Sequence, residues 1–381
     1  MLQRINPHFS ARRGETHSGP PLSLEANMPN FCKTREELAY LLISRGMGSS
    51  SGISPIELRR QMCRQLSTVN YYRLAAYWYQ FRRPLEKSQS GKRSKAYLPG
   101  TCWERVMEYY RFDHQLRLLF LDAISRIEIA LREMMVAVLC AGSPASVNPQ
   151  NVVSNYQPRF HMVKHGKSGK SYFSSLMDKV DAAYHASKGV AANHYLCVKH
   201  ISEARFLPVW VFMEFATFGN LSMLISVGLK KSDVVAIANR LGFSSRDFFI
   251  SAVALLHRVR NECAHQGRVW NRHWLQFSSY GGSTPVLKTP DRADWMYQIP
   301  EQDVWQLAEG EPEYLLQSPV CTAAALTVCS VMLRAIAPGC GWRERLFSVF
   351  ADCGIAGIHR EVGFVDDDWH HHPLWREDTV Y

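Results

Sequence analysis

Between residues 112 and 140 a single apolar stripe continues for about eight helical turns. Leu116, Phe120, Ala123, Ile127, Leu131, Met134 and Val138 follow one another at steps of three or four, the spacing that stacks side chains along one side of an α-helix. At ~1.5 Å per residue the helix is roughly 43 Å long, long enough to be the spine of a bundle. The i,i+4 pairs Asp113–Arg117 and Glu128–Arg132 fall on its flanks and read as structural ion pairs. A mainly α fold follows, and no alternating apolar–polar run competes with it.

Helix starts recur around this spine. Thr34 with Glu37 and Thr101 with Glu104 have capping-box spacing, and Ser54-Pro55-Ile56-Glu57 adds proline at the first helical position. Residues 1–30 are rich in Pro, Gly, Ser, Asn and Arg and read as a flexible basic tail. Residues 31–381 then form one helical domain. It has an N-terminal part (31–100), a core (101–280) with a variable insert (141–200), and a C-terminal helical part (281–381). The stretch from Gln80 to Gly100 carries Arg82, Arg83, Lys87, Lys92, Arg93 and Lys95 among Ser, Gly and Pro. It reads as a solvated connector, with a basic arm for a nucleic-acid backbone as the alternative. The tract from His161 to Lys170 lacks the GxxxxGK[ST] spacing of a phosphate loop.

Composition narrows the classes further. Apolar residues are 46% of the chain and charged residues 20%, enough apolar material for a packed core. Ten cysteines occur without a CxxC pair, which excludes a zinc ribbon and a thioredoxin-type motif. Phe206 to Leu229 is interrupted by Pro208, Glu214 and Gly219-Asn220, and Val320 to Leu333 is too short to span a bilayer. The former reads as a buried protein helix. With no apolar leader after Arg4, Arg12 and Arg13, a cytoplasmic protein without a membrane partner is expected. The net charge of +10 suits a polyanionic partner such as RNA.

The segment from Ser251 to His265 reads SAVALLHRVRNECAH. Ala252, Leu255, Leu256, Val259 and Cys263 share one face at 100° per residue. His257, Asn261 and His265 fall almost opposite, flanked by Arg258 and Arg260. Imidazoles and an amide on an outer face suit binding and proton transfer better than plain solvation. His257 also has a bland reading, as a hydrogen-bonded helix histidine.

The wider text, Arg260-Asn261-Glu262-Cys263-Ala264-His265-Gln266-Gly267-Arg268-Val269-Trp270-Asn271-Arg272, closely resembles the signature of the Abi-type abortive-infection proteins. Those are the AbiD/AbiF-like branch of the HEPN superfamily, whose ribonucleases carry an Arg with a His a few residues on. Further blocks resemble the family in the same order. They are residues 69–82 (VNYYRLAAYWYQFR), Phe112 to Arg117 with Ile127 to Arg132, Pro208 to Trp210 with Phe218 to Leu221, and Gly363-Phe364 to Trp369 with Pro373 to Trp375. Two departures stand out: Gln266 where relatives often carry a second histidine, and Val365 where they carry proline.

The resemblance implies a HEPN-like helical bundle with additional N- and C-terminal helices. It implies a metal-independent endoribonuclease, the toxic effector of antiphage defence, in which the ribose 2′-OH attacks the adjacent phosphate. Arg260 would hold the phosphate, His265 would exchange protons, and Asn261 would orient the imidazole or bond the phosphate. Arg258, Arg268, Arg272 and His257 are the candidate RNA-binding residues, with Trp270 packing inside. Asn70 to Tyr72 could stack bases, though aromatic clusters at helical spacing are usually core. A homodimer would bring two histidines into one cleft, and an RNA or protein antitoxin or a phage-derived trigger would control it. No cofactor or metal is expected; the run His370 to His372 is a poor metal site without further ligands. The rival is a non-catalytic RNA-binding or scaffold protein.

Overall fold

The computed structural model describes residues 33–85, 93–141, 156–162, 164–165, 169–186, 207–272, 274, 321–372 and 375. The expected tail (1–30), Lys87 and Lys92 lie outside them. The described chain is mainly α-helical and divides into two compact units, residues 1–73 with 81–103, and residues 74–80 with 104–381.

The first unit holds α1 (Arg35–Ser44), α2 (Pro55–Leu66) and the start of α3 (Tyr71–Trp78). Thr34 Oγ1 accepts from the Glu37 amide while the Glu37 carboxylate accepts from the Thr34 amide, the capping box read from the sequence. Ser54 caps α2 with Pro55 at its first position, also as read. The third cap differs. Thr101 Oγ1 donates to the Leu98 carbonyl at 2.7 Å, and the next helix starts at Trp103. The basic connector is also more ordered than expected: Arg82–Pro84 (β1) and Arg93–Tyr97 (β2) pair as antiparallel strands. Arg93 donates to the Arg82 carbonyl and Arg83 to the Tyr97 carbonyl. Two arginines there thus serve the hairpin's own backbone, a use that charge and loop composition do not reveal.

In the second unit α4 (Trp103–Cys140) is the spine, nine residues longer at its N-terminus than the stripe indicated. Six of the seven stripe residues are buried. Trp342, at the start of α12 (Trp342–Asp352), donates its indole N–H to the Leu119 carbonyl of α4 at 2.8 Å. Inside the stretch read as a variable insert lie α5 (Pro158–Met162), a short hairpin of β3 (Lys164–His165) and β4 (Lys170–Ser171), and α6 (Tyr172–Ala186). Leu176 and Val180 bury the inner side of α6.

The apolar stretch after residue 206 is not one helix. α7 (Val209–Phe212) with a 3₁₀ turn, and α8 (Phe218–Met223) with a π-helical turn (Leu224–Gly228), form two arms bent by 119°. Thr217 makes the break by capping α8 in a capping box with Asn220. No single described helix is long and apolar enough to cross a membrane. α9 (Lys231–Arg240), α10 (Arg246–Ala264) and α11 (Thr322–Ile336) follow, and α10 packs on α8, α9 and α11. Every residue of α11 from Thr322 to Leu333 is buried. α13 (Ile358–Val362) and a 3₁₀ turn (Trp369–His371) end the described chain.

Candidate functional site

The site is built on the C-terminal end of α10. Ser245 caps its start, accepting from the Phe248 amide at 3.3 Å, so the helix begins five residues before the motif segment read from the sequence. Ala252, Leu255, Leu256, Val259 and Cys263 are all buried, as the 100° spacing required. Burial pushes the Cys263 thiol up to about 12, which leaves it without nucleophilic character at neutral pH.

The opposite face is partly covered rather than open. His257 sits against α8, 6.1 Å from the Phe218 ring by centroid, and a Cβ on Gly219 would lie 3.0 Å from its Nε2. The Asn261 side-chain amide is in hydrogen-bond contact with that Nε2, its Nδ2 at 3.0 Å. Burial, then the charges of Arg260 and Arg258, lower the His257 pKa in the same direction. The Asn261 side chain therefore serves His257, and it reaches His265 only through its backbone carbonyl, which accepts the His265 amide at 3.0 Å. Residues four apart face one another on a helix, and of its two such neighbours Asn261 pairs with the one inside the regular helix.

His265 is the residue at which the helix stops. The Gln266 amide donates to Cys263 O and the Gly267 amide to Glu262 O, a Schellman closure with Gln266 at φ +60°. Gln266 thus holds a left-handed position, where a residue other than glycine is strained. His265 is exposed and Arg260 half-exposed. Neither side chain has a hydrogen bond or ion pair to a described residue.

Beyond the turn the chain is nailed to the spine. Asp113 Oδ1 accepts the amides of Val269 (2.8 Å) and Trp270 (2.6 Å), while Oδ2 accepts the Tyr77 hydroxyl (2.6 Å) and Arg117. Asp113 is 0% and Arg117 3% exposed, so this pair is the centre of the fold and not a solvated flank. Burial raises the Asp113 pKa, opposed by Tyr77, Arg117 and the two amides. Arg117 also donates to Gly267 O, and Thr322 Oγ1 to Val269 O at 2.6 Å. Trp270 is fully buried, stacked 6.1 Å from Tyr77 and tilted against Tyr109 at 4.5 Å by ring centroid.

Two candidate RNA-binding arginines have work inside the protein. Arg268 donates to the Ala76 carbonyl at 3.2 Å and lies 5.4 Å over the Trp270 ring. Arg272 pairs with Glu262 at 2.5 Å, donates to Arg268 O and covers Trp274. Arg258 is half-exposed beside the motif. In the Asn70–Tyr72 block Tyr72 is 82% exposed, whereas Tyr77 and Trp78 at the other end of α3 are core. The anchoring carboxylate Asp113 and the close-fitting Gly219 were missed as site residues. Their signal is the FD-x-x-LR and FGN blocks, which fall on the two helices that flank the motif.

A family model described as Abi-like protein matches residues 64–271, just over half of the 381-residue chain. The chain belongs to the Abi-like family. That membership supports a role in abortive infection. The match runs from the end of α2 to Asn271, one residue short of the end of the quoted motif, so the blocks quoted above lie inside it except Arg272 and the Gly363–Trp375 tail. No curated protein and no solved structure compared with the chain gave a match.

Proposed function

We propose that this Abi-like chain is a metal-independent endoribonuclease of the HEPN type, in the AbiD/AbiF-like branch, and the toxic effector of abortive infection. The observation that carries the proposal is the contrast at the end of α10. His257, Asn261, Glu262, Arg268 and Arg272 all have partners within the fold, while Arg260 and His265 reach solvent with none among the described residues. A half-exposed arginine beside an exposed imidazole supplies what transesterification of RNA needs. The guanidinium holds the non-bridging phosphate oxygens with a fixed charge. An imidazole, ordinarily titrating near ~6.5, takes or gives a proton at neutral pH.

In the proposed reaction the base takes the 2′-OH proton as that oxygen bonds to phosphorus. The P–O5′ bond breaks, and the acid protonates the departing oxygen, leaving a 2′,3′-cyclic phosphate and a 5′-OH. Five residues apart, Arg260 and His265 point about 140° apart round the helix, and each chain offers one motif histidine. A homodimer provides base and acid together, His265 and His265 of the partner subunit. RNA is the substrate, the cytoplasm the setting, and an RNA or protein antitoxin or a phage-derived trigger the control.

Purified protein incubated with RNA is expected to release fragments ending in cyclic phosphate. Mixing His265→Ala protomers with wild type is expected to lower activity more steeply than dilution does. Tight RNA binding with no cleavage, in a protein that is also harmless when expressed in cells, supports the non-catalytic RNA-binding reading instead.

A further inference from the structure

The geometry points to a zinc site in the C-terminal turn, built by Asp368, His370 and His371. One carboxylate oxygen and one nitrogen from each imidazole all lie within 4.8 Å of one another. The two imidazole centroids are 4.0 Å apart, and His371 Nδ1 is 3.9 Å from Asp368 Oδ1. Donors bound to one Zn²⁺ at ~2.0–2.2 Å are separated by roughly 3–4 Å, so small side-chain rotations close the set. The three histidines in sequence lacked a further ligand; the 3₁₀ turn Trp369–His371 supplies it by folding Asp368 onto two of them.

One ligand is already positioned. His370 is half-buried, its ring 5.7 Å from Phe347 and 5.9 Å from Trp369 by centroid. Asp368 and His371 are exposed and leave an entry path and a fourth position for water. Two nitrogens with one oxygen suit Zn²⁺ and disfavour Mg²⁺ and Ca²⁺, which prefer oxygen shells. Asp366 and Asp367 add negative charge beside the site, although Asp367 also holds His359 at 2.8 Å.

The ion would have a structural task. Trp369, enclosed between the ligands in sequence, stacks on Phe364 at 4.0 Å and meets Trp375 edge-on at 4.8 Å. A cation bridging Asp368, His370 and His371 ties down the turn that seats this aromatic cluster. Metal binding of this kind is separate from RNA cleavage, which the proposed chemistry runs without metal.

The test is a Zn²⁺ titration of untagged, chelator-stripped full-length protein against a chromophoric competitor, with melting curves alongside. The expected result is one ion per chain with Tm raised by zinc and unmoved by Mg²⁺. Asp368→Asn and His371→Ala, whose side chains are 85% and 70% exposed and so leave the fold intact, should each weaken binding at least tenfold. The double variant His370→Ala/His371→Ala should lose the zinc-dependent Tm rise. Absence of saturable binding overturns the proposal. So does equal affinity in wild type and the double variant, which assigns the zinc to the cysteines.

Discussion

Asp113 shows how much one side chain can decide. Its carboxylate, with no exposure at all, takes four donors from three parts of the second unit: Tyr77, Arg117 and the amides of Val269 and Trp270. Removing one partner of a buried pair leaves the other charged and undersolvated, at a cost of about 3–5 kcal/mol. Asp113→Ala should therefore destabilise the protein by about that amount in urea unfolding, far more than Asp122→Ala. The latter pairs with Arg126 and Arg345 at the surface, where such pairs are worth ~0–1 kcal/mol. Equal losses in the two variants would contradict the central place given to Asp113. In sequence the two aspartates look alike, each four residues ahead of an arginine on one helix. Only the tertiary fold separates them, because the three donors to Asp113 other than Arg117 lie 36 to 157 residues away.

Among the elements, periodicity carried furthest where helices are long and lie against a core on one side. The stripe of α4 and the buried face of α10 were legible for that reason, as were the caps at Thr34 and Ser54. The same pattern says nothing about what covers the other face. His257 and Asn261 were placed opposite the core, and α8 was invisible as their cover because it belongs to a stretch apolar on all sides. Its start depends on Thr217, whose hydroxyl accepts the Asn220 amide at 3.3 Å while Asn220 Oδ1 accepts the Thr217 amide at 2.9 Å. Thr217→Ala should cost about 1 kcal/mol and loosen the seat of His257 on Gly219. Thermal melting reads the first effect and the imidazole NMR signals the second. A Tm unchanged by the substitution would mean that packing alone sets the bend. Short strands such as Arg82–Pro84 stayed hidden because two or three residues show no period.

For the whole molecule, acid is the expected weak point. Burial lowers the pKa of His161, His257 and His359, with Asp367 pulling His359 the other way. A depressed folded-state pKa means that the unfolded chain binds the proton more readily. The stability these rings contribute is complete above about 6.5 and is lost as pH falls through their lowered values. Tm should drop between pH 7 and pH 5. His257→Gln, which keeps a hydrogen-bonding group for Asn261 and cannot titrate, should drop less; an identical fall would remove His257 from the account. Function, too, belongs to this scale, since membership of the Abi-like family supports a role in abortive infection while the proposed chemistry calls for a pair of side chains and a second copy of the chain. The most direct measurement is RNA cleavage by wild type, Arg260→Ala and His265→Ala in EDTA, with RNA binding followed in parallel. The account predicts cyclic-phosphate products from wild type, their loss in both variants, and RNA binding retained in His265→Ala. Cleavage undiminished in His265→Ala, or abolished in wild type by EDTA, would contradict it.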